Sequence, residues 1–197
     1  MLSSQSFAQE KKRLIRLGLN YGIGTQQIFP YNSTDYNYDI KGVKAQINYP
    51  LRKARVISFE FQLEPALYFA KHQLLNEFFV QPKDGVDYLA QREIFIKEKI
   101  ITEYALNIGL LIRYNPGNRF SVFILGSLGP MHSNTATERL AKGFAFSDII
   151  AIGLAYKVRN IVFEIKPGLR HVSNADLKYP NSGHNSSNID LCISFFL

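Results

Sequence analysis

A histidine and a serine lie two residues apart near the C-terminus of the chain. His171 and Ser173 directly follow residues 161–165, whose alternating pattern predicts a β-strand. In an extended strand, residues two apart point to the same face, so these side chains project side by side. A base next to a hydroxyl is the minimum that nucleophilic catalysis requires. This pair is therefore the candidate reaction centre.

The residues around this pair resemble a family motif. The chain reads HVSN from His171 and PNSG from Pro180. A His-x-Ser-Asn element followed by a Pro-Asn-x-Gly turn is similar to the motif of the PagL family of outer-membrane lipid A 3-O-deacylases. The resemblance covers about the last quarter of the chain.

The resemblance implies a serine esterase that removes an ester-linked acyl chain from lipid A, with lipopolysaccharide as substrate in the bacterial outer membrane. It implies that His171 is the general base and Ser173 the nucleophile, and that Asn181 donates a hydrogen bond to the oxyanion. Further candidates for the oxyanion site or for positioning are Asn174, Asp176 and Gly183. No cofactor or metal is expected.

Two positions depart from the family pattern. Asn185 stands where the best-known members carry a carboxylate, and Asp176 stands where they carry a glycine. We expect Asn185 to reach His171 across a hairpin and to orient the imidazole through its carbonyl, with less stabilisation of the imidazolium than a carboxylate gives. This predicts a slower enzyme or a shifted pH optimum. Asp176 and Asp190 are alternative acids, but Asp190 has the opposite strand phase.

Eight segments of the chain alternate apolar with polar or small residues, and no segment has a convincing helical period. This pattern predicts an all-β protein, an eight-stranded antiparallel up-and-down barrel. The predicted strands are residues 17–23, 43–49, 57–64, 103–113, 120–128, 150–156, 161–173 and 189–195.

The connections between these strands alternate in length. Residues 50–54, 115–118 and 157–160 form short turns, whereas the other connections are long and polar. Short turns at one end and long loops at the other are typical of an outer-membrane barrel with extracellular long loops. The candidate pair then lies near the extracellular end of the seventh strand, at the depth of the outer leaflet.

Charged residues occupy the strand phase opposite to the aliphatic and aromatic residues. Since the interior of an eight-stranded barrel is only wide enough for side chains, these charges must pair within it, as a polar filling. A soluble barrel that binds an apolar ligand would use the same period with the opposite face inside. The charged set is Arg16, Lys44, Glu60, Glu64, Glu103, Arg113, Glu164, Lys166, Arg170 and Asp190.

Composition excludes several other classes. The chain has 197 residues with 46% hydrophobic and 20% charged content, which argues against disorder and fits one domain. No apolar run reaches the roughly 18 residues of a spanning helix. A net charge of +7 suits an anionic partner such as lipopolysaccharide, but the basic residues are scattered, so no nucleic-acid partner is expected. The lone Cys192 excludes an intrachain disulfide.

The domain organisation follows from these patterns. Residues 1–10 are expected to be the tail of a secretory signal or a disordered terminus, and residues 11–197 a single barrel domain. Two barrels could associate as a homodimer. A non-catalytic barrel on the same scaffold is an alternative to the enzyme, because of Asn185 and Asp176. We expect His184 to be a solvated loop residue, and His72 and His132 to lie in long loops.

Overall fold

Eight antiparallel strands form a closed barrel in a computed structural model that describes residues 15–197. The expectation for residues 1–10 lies outside this described part of the chain. Each strand pairs with the next in sequence, and β1 pairs with β8 from Arg16↔Phe196 to Thr25↔Ser187, which closes the ring. The strands are β1 (Arg16–Thr25), β2 (Tyr36–Ala54), β3 (Ile57–Leu74), β4 (Lys99–Tyr114), β5 (Phe120–Ser133), β6 (Gly143–Val158), β7 (Ile161–Ser173) and β8 (His184–Phe196).

The long connection between β3 and β4 contains helical structure that the sequence did not predict. A short helix, α1 (Tyr88–Phe95), follows two 3-10 turns, Glu77–Phe79 and Pro82–Asp84. The helix is only 8 residues long and has no buried residues, so it lacks the sustained apolar stripe by which a helix is recognised. Within residues 15–197, no helix has the length and apolarity needed to cross a membrane.

The charged strand phase faces the lumen, as the sequence predicts. Five cationic and five anionic side chains pair across the interior, so the set carries no net charge. Near the short-turn end, Arg16 and Arg113 both contact Glu164 and Glu60; the Arg113–Glu164 and Arg113–Glu60 distances are both 2.8 Å. The other pairs are Lys44–Asp190 at 2.6 Å, Lys44–Glu64 at 3.7 Å, Lys166–Glu64 at 3.3 Å and Arg170–Glu103 at 2.8 Å.

The apolar phase faces outward. Side chains such as Leu19 and Leu110 are more than half exposed, at 62% and 61%, an arrangement that suits lipid rather than water. The alternative of a soluble barrel with an apolar interior is therefore wrong. Aromatic side chains form a ring at each end of this surface: Tyr49, Phe59, Tyr114, Phe120, Tyr156, Phe163 and Phe195 at the short-turn end, and Tyr21, Phe69, Tyr104 and Phe144 at the long-loop end.

The lumenal ion pairs make the barrel sensitive to loss of a single charge. We expect Glu164→Gln to lower the free energy of unfolding by about 3–5 kcal/mol, because it leaves two buried guanidinium groups short of a partner. Urea titration in detergent, followed by the mobility shift of the folded barrel on gels, measures this change. The matched control is Glu98→Gln, which breaks an exposed pair with Lys71 and should cost less than about 1 kcal/mol. Equal losses in the two variants would contradict this account of the lumen.

Candidate active site

The hairpin of β7 and β8 positions the candidate pair at the long-loop end of the barrel. Ser173 is the last residue of β7, and His171 lies two residues before it. Both side chains are half-buried, and they alternate with the buried residues Arg170 and Val172. His171 and Ser173 therefore share the outward, lipid-facing side of the sheet.

His171 is held by the residue directly across the hairpin. Its Nδ1 lies 2.7 Å from Oδ1 of Asn185, and the two residues are register partners. Since an amide oxygen only accepts hydrogen bonds, Nδ1 carries the proton and Nε2 is the free basic nitrogen. The backbone N–H of Asn185 donates to the hydroxyl of Tyr36 at 3.3 Å, which ties β8 to β2. The expected Asn185 contact is thus present, and it presents a neutral group to the imidazole.

Ser173 lies at the level of the aromatic side chains that encircle the long-loop end of the barrel. Its partner on β6 is Phe146, whose ring packs edge-on against Phe144 with 5.0 Å between centroids. Ser173 and His171 are not hydrogen bonded to each other in this structure. Residues two apart on a strand have Cα atoms about 6.6 Å apart, so side-chain rotation closes the gap, as active sites often do only when substrate binds.

The loop after Ser173 begins with a tight turn. The N–H of Leu177 donates to the carbonyl of Asn174 at 3.1 Å. Both central residues have positive φ, 52° for Ala175 and 60° for Asp176. Left-handed backbone disfavours residues with a Cβ, so a glycine at either position would remove strain. The departure from the family pattern at Asp176 therefore has an energetic cost.

The polar side chains of this loop bind one another. Oδ1 of Asn181 accepts from the backbone N–H of Asn174 at 2.6 Å, and Nδ2 of Asn181 donates to Oδ1 of Asp176 at 2.9 Å. The Asn174 side chain is fully buried and donates to the carbonyl of Lys178 at 2.5 Å. Asn174 is thus used within the loop, which leaves one amide hydrogen of Asn181 for a ligand, together with the backbone N–H groups of Ala175 and Asp176.

Gly183 closes the loop against His171. Its φ is 69°, and an added Cβ would lie 2.4 Å from the Val172 carbonyl oxygen and 3.1 Å from Cε1 of His171. Arg139 of the β5–β6 loop fixes this glycine from outside. Its carbonyl accepts from the Gly183 N–H at 2.9 Å, and its Nε donates to the Gly183 carbonyl at 2.8 Å. Only a residue without a side chain fits between these neighbours.

The β3–β4 connection also contacts this loop. The hydroxyl of Tyr179 donates to the carboxylate of Asp84. This hydrogen bond lowers the pKa of Asp84 and raises the pKa of Tyr179. Two extracellular connections thus brace the loop that carries Asn181.

Three histidines lie where the sequence did not predict them. His184 begins β8 and is buried in the lumen, where it stacks on Tyr38 at 4.6 Å and lies 3.0 Å from Oγ1 of Thr137. His72 is buried on β3, with Nε2 at 3.1 Å from Glu138. His132 is exposed on β5. The expectation of loop histidines was wrong in all three cases, because β3, β5 and β8 extend beyond their clearly alternating segments.

An apolar groove of about 740 Å³ runs across the outer wall from His171. Its floor follows one row of register partners, Leu169, Ile150, Gly126, Leu110 and Phe61, on five adjacent strands. Leu169 lies four residues from the long-loop end of β7, and Phe61 lies four residues from the short-turn end of β3. The groove therefore descends obliquely from the level of His171 towards the middle of the lipid-facing surface.

Asp148 is a site residue that the sequence analysis missed. It faces outward on β6, is the register partner of His171 and lines the same groove. It lies before the alternating segment 150–156 by which this strand was recognised. Among residues 15–197, no group of three or more His, Cys, Asp or Glu side chains is placed to hold a metal ion.

Three solved structures are similar to this chain. The crystal structure of the outer-membrane enzyme PagL matches with a TM-score of 0.62 and 13% identity, over 89% of this chain and 97% of that chain. Neisserial surface protein A matches with a TM-score of 0.49 and 6% identity, over 92% and 96% of the two chains. A de novo designed transmembrane β-barrel matches with a TM-score of 0.45 and 9% identity, over 95% and 98%. No curated protein sequence matches the chain.

The family comparison reaches well beyond the His-x-Ser-Asn element. The model of the lipid A 3-O-deacylase (PagL) family matches residues 41–194, from β2 to β8. The matched region contains the hairpin of β7 and β8, its loop and the lumenal residues that support it. The chain belongs to the lipid A 3-O-deacylase (PagL) family and is an outer-membrane β-barrel.

Proposed function

We propose that this barrel hydrolyses the 3-O-linked acyl ester of lipid A, with Ser173 as nucleophile and His171 as general base. The observation that carries the proposal is the placement of His171. Its Nδ1 is fixed by Asn185 while the ring lies on the lipid-facing wall, at the upper end of an apolar groove. A lipid of the outer leaflet reaches this position laterally, without leaving the membrane.

The reaction proceeds in two proton-balanced steps. In the first, Nε2 of His171 takes the hydroxyl proton as Oγ of Ser173 attacks the ester carbonyl. Collapse of the tetrahedral intermediate breaks the ester bond, and the imidazolium gives its proton to the departing sugar oxygen. In the second, His171 deprotonates a water molecule that attacks the acyl-serine, which releases the fatty acid and regenerates Ser173.

The oxyanion donors come from the loop after β7. The free amide hydrogen of Asn181 and the backbone N–H groups of Ala175 and Asp176 are available, whereas the N–H of Asn174 is already bound to Asn181. Loss of one such donor typically costs a factor of about 100 to 1,000 in turnover. The cleaved acyl chain lies in the groove, whose lining is almost entirely apolar.

A non-catalytic barrel is the second candidate function. It is favoured by one contact, because the carboxylate of Asp176 accepts from the amide of Asn181 and so competes with an oxyanion for that donor. The neutral side chain of Asn185 also favours a non-catalytic barrel, because it gives the imidazolium less stabilisation than a carboxylate. Assays of lipid A deacylation separate the two functions.

Substitution of either residue of the reacting pair should abolish hydrolysis without unfolding the barrel. We expect Ser173→Ala and His171→Ala each to lower turnover by at least about 1,000-fold, since each removes a group that the chemical step requires. The mass of lipid A after incubation with the purified protein in detergent measures the loss of one hydroxyacyl chain. Ser182→Ala, an exposed serine of the same loop, should retain wild-type activity. Persistent deacylation by Ser173→Ala would refute the assigned nucleophile.

Gly183→Ala tests whether the close approach of the loop to His171 is required. The added Cβ meets the Val172 carbonyl oxygen and the imidazole, so we expect the loop to shift and activity to fall at least about 10-fold while the barrel stays folded. Gly117→Ala is the matched control, because nothing lies within 4 Å of a Cβ at that turn. If the two variants are equally active, Gly183 does not position the histidine.

Asp176→Gly should raise both the stability of the loop and the turnover of the enzyme. It removes a left-handed residue with a Cβ, which is worth about 1 kcal/mol of unfolding free energy, and it frees the Asn181 amide for the oxyanion. We expect higher turnover, with Asp176→Asn between wild type and the glycine variant. A lower turnover in Asp176→Gly would mean that the carboxylate holds Asn181 in its working position.

A further inference from the structure

We propose that the β1–β2 loop forms a side wall of the reaction site and that its Tyr31 is a specificity residue, whose ring holds a long acyl chain beside His171. This inference rests on the proposed Ser173–His171 mechanism and deepens it, because it assigns the choice of acyl group to a loop outside β7 and β8. Tyr31 contacts the substrate and takes no part in bond making.

The β1–β2 loop folds against the lipid-facing side of β8. The hydroxyl of Ser187 donates to the backbone carbonyl of Phe29 at 2.9 Å. Ser187 alternates with buried residues of β8 and therefore faces outward. Its register partner on β7 is Leu169, which lines the groove. The loop is thus attached to the strand that borders the groove, two residues along β7 from His171.

A buried amide fixes the conformation of this loop. Gln26 directly follows β1 and is fully buried. Its Oε1 accepts from the backbone N–H of Ser33 at 2.8 Å, and its Nε2 donates to the Ser33 carbonyl at 3.1 Å. Within the loop, the N–H of Tyr31 donates to the carbonyl of Ile28 at 3.1 Å. A loop that is already ordered loses little entropy when it binds a ligand.

The tip of the loop has the composition of a lipid-facing surface. Residues 28–31 read Ile-Phe-Pro-Tyr. The side chains of Ile28 and Phe29 are both more than half exposed. Exposed apolar side chains next to a lipid-facing wall are favourable in lipid and unfavourable in water. The tip therefore lies in the outer leaflet, at the side of the groove.

Tyr31 is the part of the loop that faces the groove. Its side chain is half-buried and lines the same groove as His171 and Leu169. Within residues 15–197, every other residue that lines the groove belongs to one of the strands β3 to β7. The strands thus supply the floor, and Tyr31 supplies a side wall that rises from the loop. An aromatic ring offers a large, rigid apolar surface to a hydrocarbon chain.

This placement predicts a preference for long acyl chains. A chain that extends from the ester at Ser173 along the groove buries its methylene groups against the ring, and each buried methylene adds to the binding free energy. A short acyl group does not extend from the ester to the ring and gains nothing from it. The contribution of Tyr31 should therefore depend on acyl length.

Hydrolysis of p-nitrophenyl dodecanoate and butanoate in detergent micelles measures this preference. We expect Tyr31→Ala to lower kcat/KM for the long ester by about 10- to 100-fold and for the short ester by less than about 3-fold. Tyr31→Phe keeps the ring and should retain the wild-type preference. Phe78→Ala, which removes an exposed aromatic side chain of the β3–β4 connection, is the control. A loss that is equal for both esters, or equal in the Ala and Phe variants, would overturn the inference.

A second readout needs no catalysis. The chain contains no tryptophan, so Tyr31→Trp introduces a single indole. In a Ser173→Cys, Cys192→Ala background, a dodecyl methanethiosulfonate that carries bromine along its chain is attached to the new cysteine. Bromine quenches indole fluorescence at close range, so the tryptophan at position 31 should lose most of its emission relative to the same protein carrying an unbrominated chain. Phe29→Trp is the matched control in the same loop, and it should lose little because Phe29 does not line the groove.

The two readouts separate this inference from the proposed function. If the tryptophan at position 31 is quenched and lipid A is not cleaved by the wild type, the proposed function fails while the acyl contact of Tyr31 stands. If lipid A is cleaved but quenching is absent, or is equal at positions 29 and 31, the function stands and the inference is overturned. If no ester is hydrolysed, the quenching alone decides the inference.

Discussion

The set of charge pairs in the lumen is the constraint on which the rest of the structure depends. An eight-stranded barrel leaves no space for water around ten charged side chains, so each cation must meet an anion across the interior. The pairs Arg16–Glu164, Arg113–Glu164 and Lys166–Glu64 join strands far apart in sequence. Because this set must point inward, strict alternation sends the apolar set outward.

The same alternation decides where chemistry can occur. Arg170 is committed to the lumen by Glu103, and its neighbour in sequence, His171, must then point to lipid. Ser173 lies two residues after His171 on the same strand and therefore also points to lipid. A hydrolytic pair on the outside of a barrel is suited to a substrate that resides in the membrane, since the ester arrives along the wall. The β5–β6 and β3–β4 connections brace the loop that holds Asn181, through Arg139 and through the hydrogen bond from Tyr179 to Asp84.

Much of this arrangement is predictable from the sequence, because it depends on the two-residue period of the strands and on which strands are neighbours in the chain. The strand phases, the paired lumen and the reach of Asn185 to His171 follow from a period of two and from a hairpin between neighbouring strands. Asp148 could not be identified in this way. Its proximity to His171 depends on the register between β6 and β7, which is set by packing along the whole strand and leaves no local signal. His72 and His184 were misplaced for a related reason, since polar strand ends that are buried beneath extracellular loops resemble loops in sequence.

The placement of residue 173 on the lipid-facing wall is the central claim, and site-directed spin labelling in bilayers tests it most directly. Nitroxide labels would be introduced by Ser173→Cys and, separately, by Val172→Cys, each in a background in which the buried Cys192 is replaced by Ala. Collisions with oxygen, which concentrates in the membrane, and with a water-soluble nickel chelate report the surroundings of each label. The account predicts strong oxygen broadening at position 173 and a shielded, immobilised label at position 172. A label at position 173 that is shielded from oxygen, or that meets only the nickel chelate, would contradict it.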